Sequence, residues 1–131
     1  MSANLFAQIS QLLPTLHGWC TEGKAHTLAA AVLALRPEVT VEIGVWGGAS
    51  LLPMALAHKH VGKGTVIGID PWHPVESAKG QVHPQDQKYW GEANHEQVYA
   101  HFMENLYNLN LENCVRVMRC TSDKVEPPPK I

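Results

Sequence analysis

The sequence predicts an α/β fold: a short parallel sheet with helices packed against it. Two observations carry this. The segment Val41-Glu42-Ile43-Gly44-Val45-Trp46-Gly47-Gly48-Ala49-Ser50 passes from an apolar, β-branched run into a Gly-rich turn and then into a helical stretch. A second β-branched run, Thr65-Val66-Ile67-Gly68-Ile69, follows and ends on Asp70. Strand, glycine turn, helix, strand and acid form a βαβ unit of the kind that binds nucleotides.

Each element has its own signal. Asn4 to Leu13 carries Leu5, Ile9, Leu12 and Leu13 at helical spacing, and Pro14 ends it. His26 to Leu35 is an Ala/Leu-rich helix, stopped at Arg36-Pro37 because a residue before proline avoids the α region. The first strand is expected at Glu38–Ile43 as a buried strand. Ala49 to Lys59 is the helix after the turn, with Pro53 early enough for its missing N–H to cost little. Val61-Gly62-Lys63-Gly64 turns the chain back into the second strand. Pro71 to Gly91, rich in proline, glycine and histidine, is expected to be a long loop acting as a lid or mobile segment. Glu92 to Leu109 presents Val98, Phe102, Leu106 and Leu109 on one helical face, and a third strand opens near Asn113-Cys114. Thr121-Ser122-Asp123 is a helix-start signal.

The turn discriminates among nucleotides. A dinucleotide fingerprint needs glycine at its middle position, where a pyrophosphate approaches the backbone. Counting from Gly44, that position is Trp46, which disfavours an NAD-dependent oxidoreductase. No Gly-Lys-Ser/Thr follows, so a P-loop fails as well. What remains is Glu42-x-Gly44-x-x-x-Gly48, with an acid two residues before the first glycine.

This pattern resembles the first motif of the class I S-adenosylmethionine-dependent methyltransferases. Gly64-Thr65-Val66-Ile67-Gly68-Ile69-Asp70-Pro71-Trp72 is similar to that family's second strand, and Val115-Arg116-Val117-Met118-Arg119-Cys120-Thr121-Ser122 to its third strand and the turn beneath adenine. The resemblance covers residues 24–123. The Gly47-Gly48-Ala49-Ser50 turn and the Asp-Pro-Trp sequence further resemble a small-molecule subgroup related to cephalosporin hydroxylase-like proteins. The family's fold is a Rossmann-like sheet in the order 3-2-1-4-5-7-6, of which this chain accounts for strands 3-2-1.

The resemblance implies S-adenosylmethionine as cofactor and a small-molecule methyl acceptor. It implies cofactor contacts from Glu42, Gly44, Val45, Trp46, Gly47, Gly48 and Ser50 in the turn. Asp70, Pro71 and Trp72 would follow at the ribose, with Thr121 and Ser122 at adenine. Glu42 would face the methionine amine directly or through water, and Asp70 would accept two hydrogen bonds from the ribose diol. The residues alone leave alternatives open: the glycines could simply form a tight turn, Trp46 and Trp72 could fill the core, and Thr121 and Ser122 could only cap a helix. No catalytic residue is assigned.

Composition narrows the classes. A chain of 131 residues supports one domain, here 1–131, and 45% hydrophobic content can form a core. A net charge of −2 gives no polyanion-binding signal, so nucleic acid is not an expected partner. The longest apolar run is too short to span a bilayer, and a basic-then-apolar leader pattern is not seen, so a cytoplasmic location is expected. Cys20, Cys114 and Cys120 lack metal or redox spacing and are expected to be reduced and buried. The eight histidines lack helical metal-pair spacing (His95 and His101 are six apart), so no metal is expected, and solvated or capping roles are.

Ile131 falls where the family's fourth strand would start. The expectation is therefore a truncated cofactor-binding half, without turnover on its own. Its first strand would be an exposed edge through which a homodimer could form. The competing reading is a non-catalytic Rossmann-like module that binds a nucleoside ligand or a partner chain.

Overall fold

β-Branched residues at alternate positions and helices punctuated by proline and glycine sort this chain into a three-stranded parallel sheet with helices against it. The structure, a computed structural model, describes residues 2–126. The elements run α1 (Ser2–Leu12), α2 (Glu22–Leu35), β1 (Val39–Ile43), α3 (Leu51–Val61), β2 (Thr65–Ile69), α4 (Pro74–Ala78), α5 (Pro84–Glu92), α6 (His95–Asn108) and β3 (Val115–Met118). Short 3₁₀ turns follow α1 and β3. The sheet order is β1-β2-β3, with Val41 opposite Ile67 and Gly68 opposite Val117. This is the partial Rossmann-like arrangement that the βαβ pattern implies. The segment around Ile131, where a fourth strand was expected to begin, lies outside the described residues.

Helix α3 is the centre of the core. Every residue from Leu51 to His58 is buried, which only a helix covered on all sides can be. It lies on the sheet face that carries Thr40, Glu42, Val66 and Gly68. A Cβ on Gly68 would run into Leu51, so the missing side chain is what lets α3 approach the sheet. Ile9, Ala25, Ala29, Phe102, Leu106 and Leu111 complete the core from α1, α2, α6 and the turn after α6.

His58 belongs to this core rather than to a metal site or to solvent. It is 1% exposed, and its ring bridges Thr40 Oγ1 and the Lys63 carbonyl, both at 2.8 Å. A carbonyl only accepts, so Nδ1 donates to Lys63 while Nε2 pairs with the Thr40 hydroxyl. The ring thereby ties the end of α3 to β1 and to the turn into β2.

The structure departs from the sequence reading in several places. Helix α2 starts at Glu22, four residues early, because Thr21 caps it by accepting from the Lys24 N–H at 3.2 Å. The stretch 71–91 is not a loop but holds α4 and α5. His73-Pro74 and His83-Pro84 start them, the proline occupying a first-turn position that needs no N–H. Strand β1 is not buried. It pairs only with β2 among the described residues, and Val39, Val41 and Ile43 are 43%, 37% and 68% exposed. The three cysteines are half-buried rather than buried, and burial pushes the thiols of Cys20 and Cys114 up. Among the described residues no helix is long and apolar enough to cross a membrane.

Replacing His58 with Leu leaves the Lys63 carbonyl and the Thr40 hydroxyl without their partner in a dry setting. The expected cost is roughly 2–4 kcal/mol in urea-induced unfolding. Unchanged stability would show that the ring is a passive filler.

Candidate functional site

In open α/β sheets ligands bind in the crevice outside the C-terminal ends of the parallel strands. In this molecule the crevice is organised by Asp70, the residue directly after β2. Asp70 is 8% exposed. Oδ2 accepts from the backbone N–H groups of Val45 and Trp46, both at 2.9 Å, and Oδ1 accepts from the Trp72 N–H at 2.8 Å. One carboxylate therefore holds the turn after β1 and the turn after β2 together.

The lock continues through two tryptophans. Trp46 and Trp72 sit at φ +53° and +42°, a left-handed conformation that bulky residues rarely adopt. Trp46 is held there by its N–H to Asp70 and by its carbonyl, which accepts from Trp72 Nε1 at 2.8 Å. Trp72 is 1% exposed and stacks on Phe102 with ring centres 5.5 Å apart. Trp72, expected at the adenine or ribose, is placed by the structure in the core. Its ring is a core element outside both cavities described below.

Two adjoining cavities open around this lock. The first, about 310 Å³, is lined by Gly44, Val45, Trp46, Ser50 and Asp70 of the anticipated residues. His17 and Trp19 from the segment before α2, and Lys24 from its first turn, close the other side. The second, about 280 Å³, is lined by Gly44, Asp70, Pro71, Thr121 and Ser122 of the anticipated set. Gly44, Asp70 and Trp90 border both. The sequence reading missed Lys24, which the cap of α2 places, and Trp90, which lies within the supposed loop.

The three turn glycines do different things. Gly44 has φ +86°, and a Cβ there would meet nothing within 4 Å, so its bare backbone faces the cavities. Gly47 and Gly48 line neither cavity and are small for packing. A Cβ on Gly47 would collide with the His17 carbonyl, and one on Gly48 would lie 2.6 Å from the Phe102 ring.

Glu42 lies behind Ser50. Its Oε1 accepts from Ser50 Oγ, and its Oε2 is buried without a hydrogen-bond partner among the described residues. Burial pushes its carboxyl up to about 7 from an ordinary 4.5. Ser50's hydroxyl and Lys24 pull it down, and Asp70 pushes it further up. Such a group either holds its own proton or takes a cationic donor from outside the protein. Asp70, by contrast, has three of a carboxylate's roughly four acceptor directions occupied, leaving room for one hydroxyl rather than both of a diol.

An alanine at Gly44 should cost about 1–2 kcal/mol, the strain of a left-handed backbone. At Gly48 the clash with Phe102 adds to that strain, so Gly48→Ala should cost about 3 kcal/mol or more. Urea unfolding of the two variants checks the order. The reverse ranking would mean that α6 does not pack on the turn.

A family model described as a methyltransferase domain matches residues 41–128, which is more than half of the chain. No curated protein matches the chain. The match begins in β1 and takes in the glycine turn, Asp70, α4, α5, α6 and β3. With the sheet order and the acid-locked glycine turn in place, the chain belongs to the class I S-adenosylmethionine-dependent methyltransferase family.

Proposed function

We propose that the two cavities together hold S-adenosylmethionine and that the domain serves methyl transfer to a small-molecule acceptor. The observation that carries this is Glu42: a buried carboxylate oxygen without a partner, beside a cavity-lining serine. An α-amino group is the cation that would suit it. Lys24, in the same cavity, suits the neighbouring α-carboxylate. The second cavity would take the adenosine, with Thr121 and Ser122 at the base and the remaining acceptor direction of Asp70 at the ribose. Together the cavities fall within the ~300–1,000 Å³ typical of ligand sites.

When bound, S-adenosylmethionine supplies a methyl group on a positively charged sulfur, open to in-line attack by a nucleophile. The residues of this chain contribute positioning. The Asp70 lock fixes the turn, Gly44 lets the backbone come close, and the tryptophan wall keeps water from one side. No side chain here is assigned as a base.

Calorimetry on the purified chain tests the proposal. S-adenosylhomocysteine should bind, and NAD should bind more weakly. Tighter binding of NAD would reject the reading.

Glu42 adds a pH dependence. Its folded pKa stands above its unfolded value, so the folded chain holds this proton more tightly. The stabilisation is full below about 4.5 and is lost as pH rises through about 7. The loss is on the order of 3 kcal/mol in the ligand-free chain. Ligand affinity should move the other way, rising from pH 6 to 8 as the carboxylate ionises to meet the amine. Urea unfolding and calorimetry across that range check both. Glu42→Gln should flatten both profiles, and a variant that keeps the wild-type slopes would assign them to another group.

We also propose that the edge of β1 pairs with a second copy of the chain. Antiparallel pairing centred on Val41 would set Val39 opposite Ile43 and bring the exposed apolar side chains of both copies onto one face. Sedimentation over a range of concentrations should show a dimer that Val41→Lys dissociates. A monomer at all concentrations would refute the pairing.

A further inference from the structure

The segment carrying α4 and α5 stands apart from the rest of the molecule. Neither helix has a buried residue, and their most extensive packing is on each other. Val75 and Val82 are 58% and 84% exposed. Most of the side-chain hydrogen bonds of residues 74–92 stay within the segment or run to its own cap, His73. The attachment to the body is concentrated at one point, the end of α5.

Two residues make it: Tyr89, whose ring packs edge-to-face on Trp19 at 5.7 Å and on Trp46 at 6.5 Å, and Trp90. The Trp90 carbonyl accepts from His95 Nε2 at 2.7 Å, and His95 is 3% exposed at the start of α6. The Trp90 ring packs edge-to-face on Trp46, with ring centres 4.8 Å apart, and on Trp19 at 6.0 Å. Trp46 is itself fixed by the Asp70 lock. Trp90 thus joins a segment with few contacts to the body onto the Asp70-bonded turn, and it borders both cavities.

A ligand lying across both cavities has its middle against the residues that the cavities share. Of those, Gly44 and Asp70 belong to the floor, and Trp90 comes from the covering segment. We propose that Trp90 is a ligand-contacting residue that clamps the middle of the ligand, and that α4–α5 is the lid it closes. This rests on the cofactor reading above. In S-adenosylmethionine the joint between the adenosine and amino-acid ends is the sulfonium, a cation. An indole face beside it attracts that cation through the ring quadrupole. The same contact is weaker with S-adenosylhomocysteine, whose sulfur is neutral, and is missing with adenosine, which stops short of the joint.

The test compares three ligands on the full chain and on Trp90→Ala and Trp90→Phe. Calorimetry should show that Trp90→Ala weakens S-adenosylmethionine by about tenfold, S-adenosylhomocysteine by less and adenosine least, in keeping with a desolvated cation–π contact. Trp90→Phe keeps an aromatic face and should lose only part of the affinity; it stands in if the alanine variant does not fold. Limited proteolysis supplies the second readout. S-adenosylmethionine should slow cleavage between residues 74 and 92 of the wild-type chain, and this protection should be lost in Trp90→Ala. Equal weakening of all three ligands, or wild-type affinity in both variants, would overturn the clamp while leaving the cofactor reading intact. A wild-type chain that binds none of the three would overturn the cofactor reading and the clamp with it.

Discussion

The site depends on one buried carboxylate. Asp70 accepts three backbone N–H groups, two from the turn after β1 and one from the turn after β2. Charge-assisted bonds of this kind are stronger than neutral ones, and in a dry setting the amides have no alternative partner. They offset the strain of two tryptophans with positive φ. Those tryptophans then set the remaining geometry. Trp46 packs against Trp90 at the end of α5, and Trp72 anchors the turn to Phe102 and the core. The acid after the second strand is here a structural keystone, tied to the backbone of two turns.

The two carboxylates of the site are complementary. Asp70 is almost fully satisfied by the protein, and its environment is the protein's own backbone. Glu42 is half-satisfied, by Ser50 alone, and burial raises its carboxyl. A carboxylate bonded to backbone on both oxygens holds architecture, whereas one oxygen of Glu42 is left without a partner among the described residues. The difference follows from position. Asp70 lies where two turns converge and present N–H groups, while Glu42 points from the strand toward the side-chain hydroxyl of a helix start.

Much of this was legible in the sequence. The βαβ unit and the strand-end acid followed from β-branched runs, glycines and spacing, which are local signals, and the sheet order was implied by the family resemblance that those residues carry. Gly44, Val45, Trp46, Ser50, Asp70, Pro71, Thr121 and Ser122 do come together at the strand ends. What the sequence concealed was long-range. That Gly47 is small for His17, and Gly48 for Phe102, depends on segments far away in the chain. Trp72 is a core residue because α6 supplies Phe102 beneath it. Helices α4 and α5 were hidden by prolines, which read as loop punctuation but here occupy first turns. Trp90 was hidden with them, and Lys24 was missed because the cap at Thr21 lies upstream of the obvious apolar pattern.

The most direct test of the account is amide hydrogen exchange at Val45, Trp46 and Trp72, followed by NMR. If the Asp70 carboxylate is the keystone, these three amides exchange slowly although they lie in turns, and they open together with a common free energy. Exchange of all three at the rates of exposed loops, in a chain whose sheet amides stay protected, would contradict it.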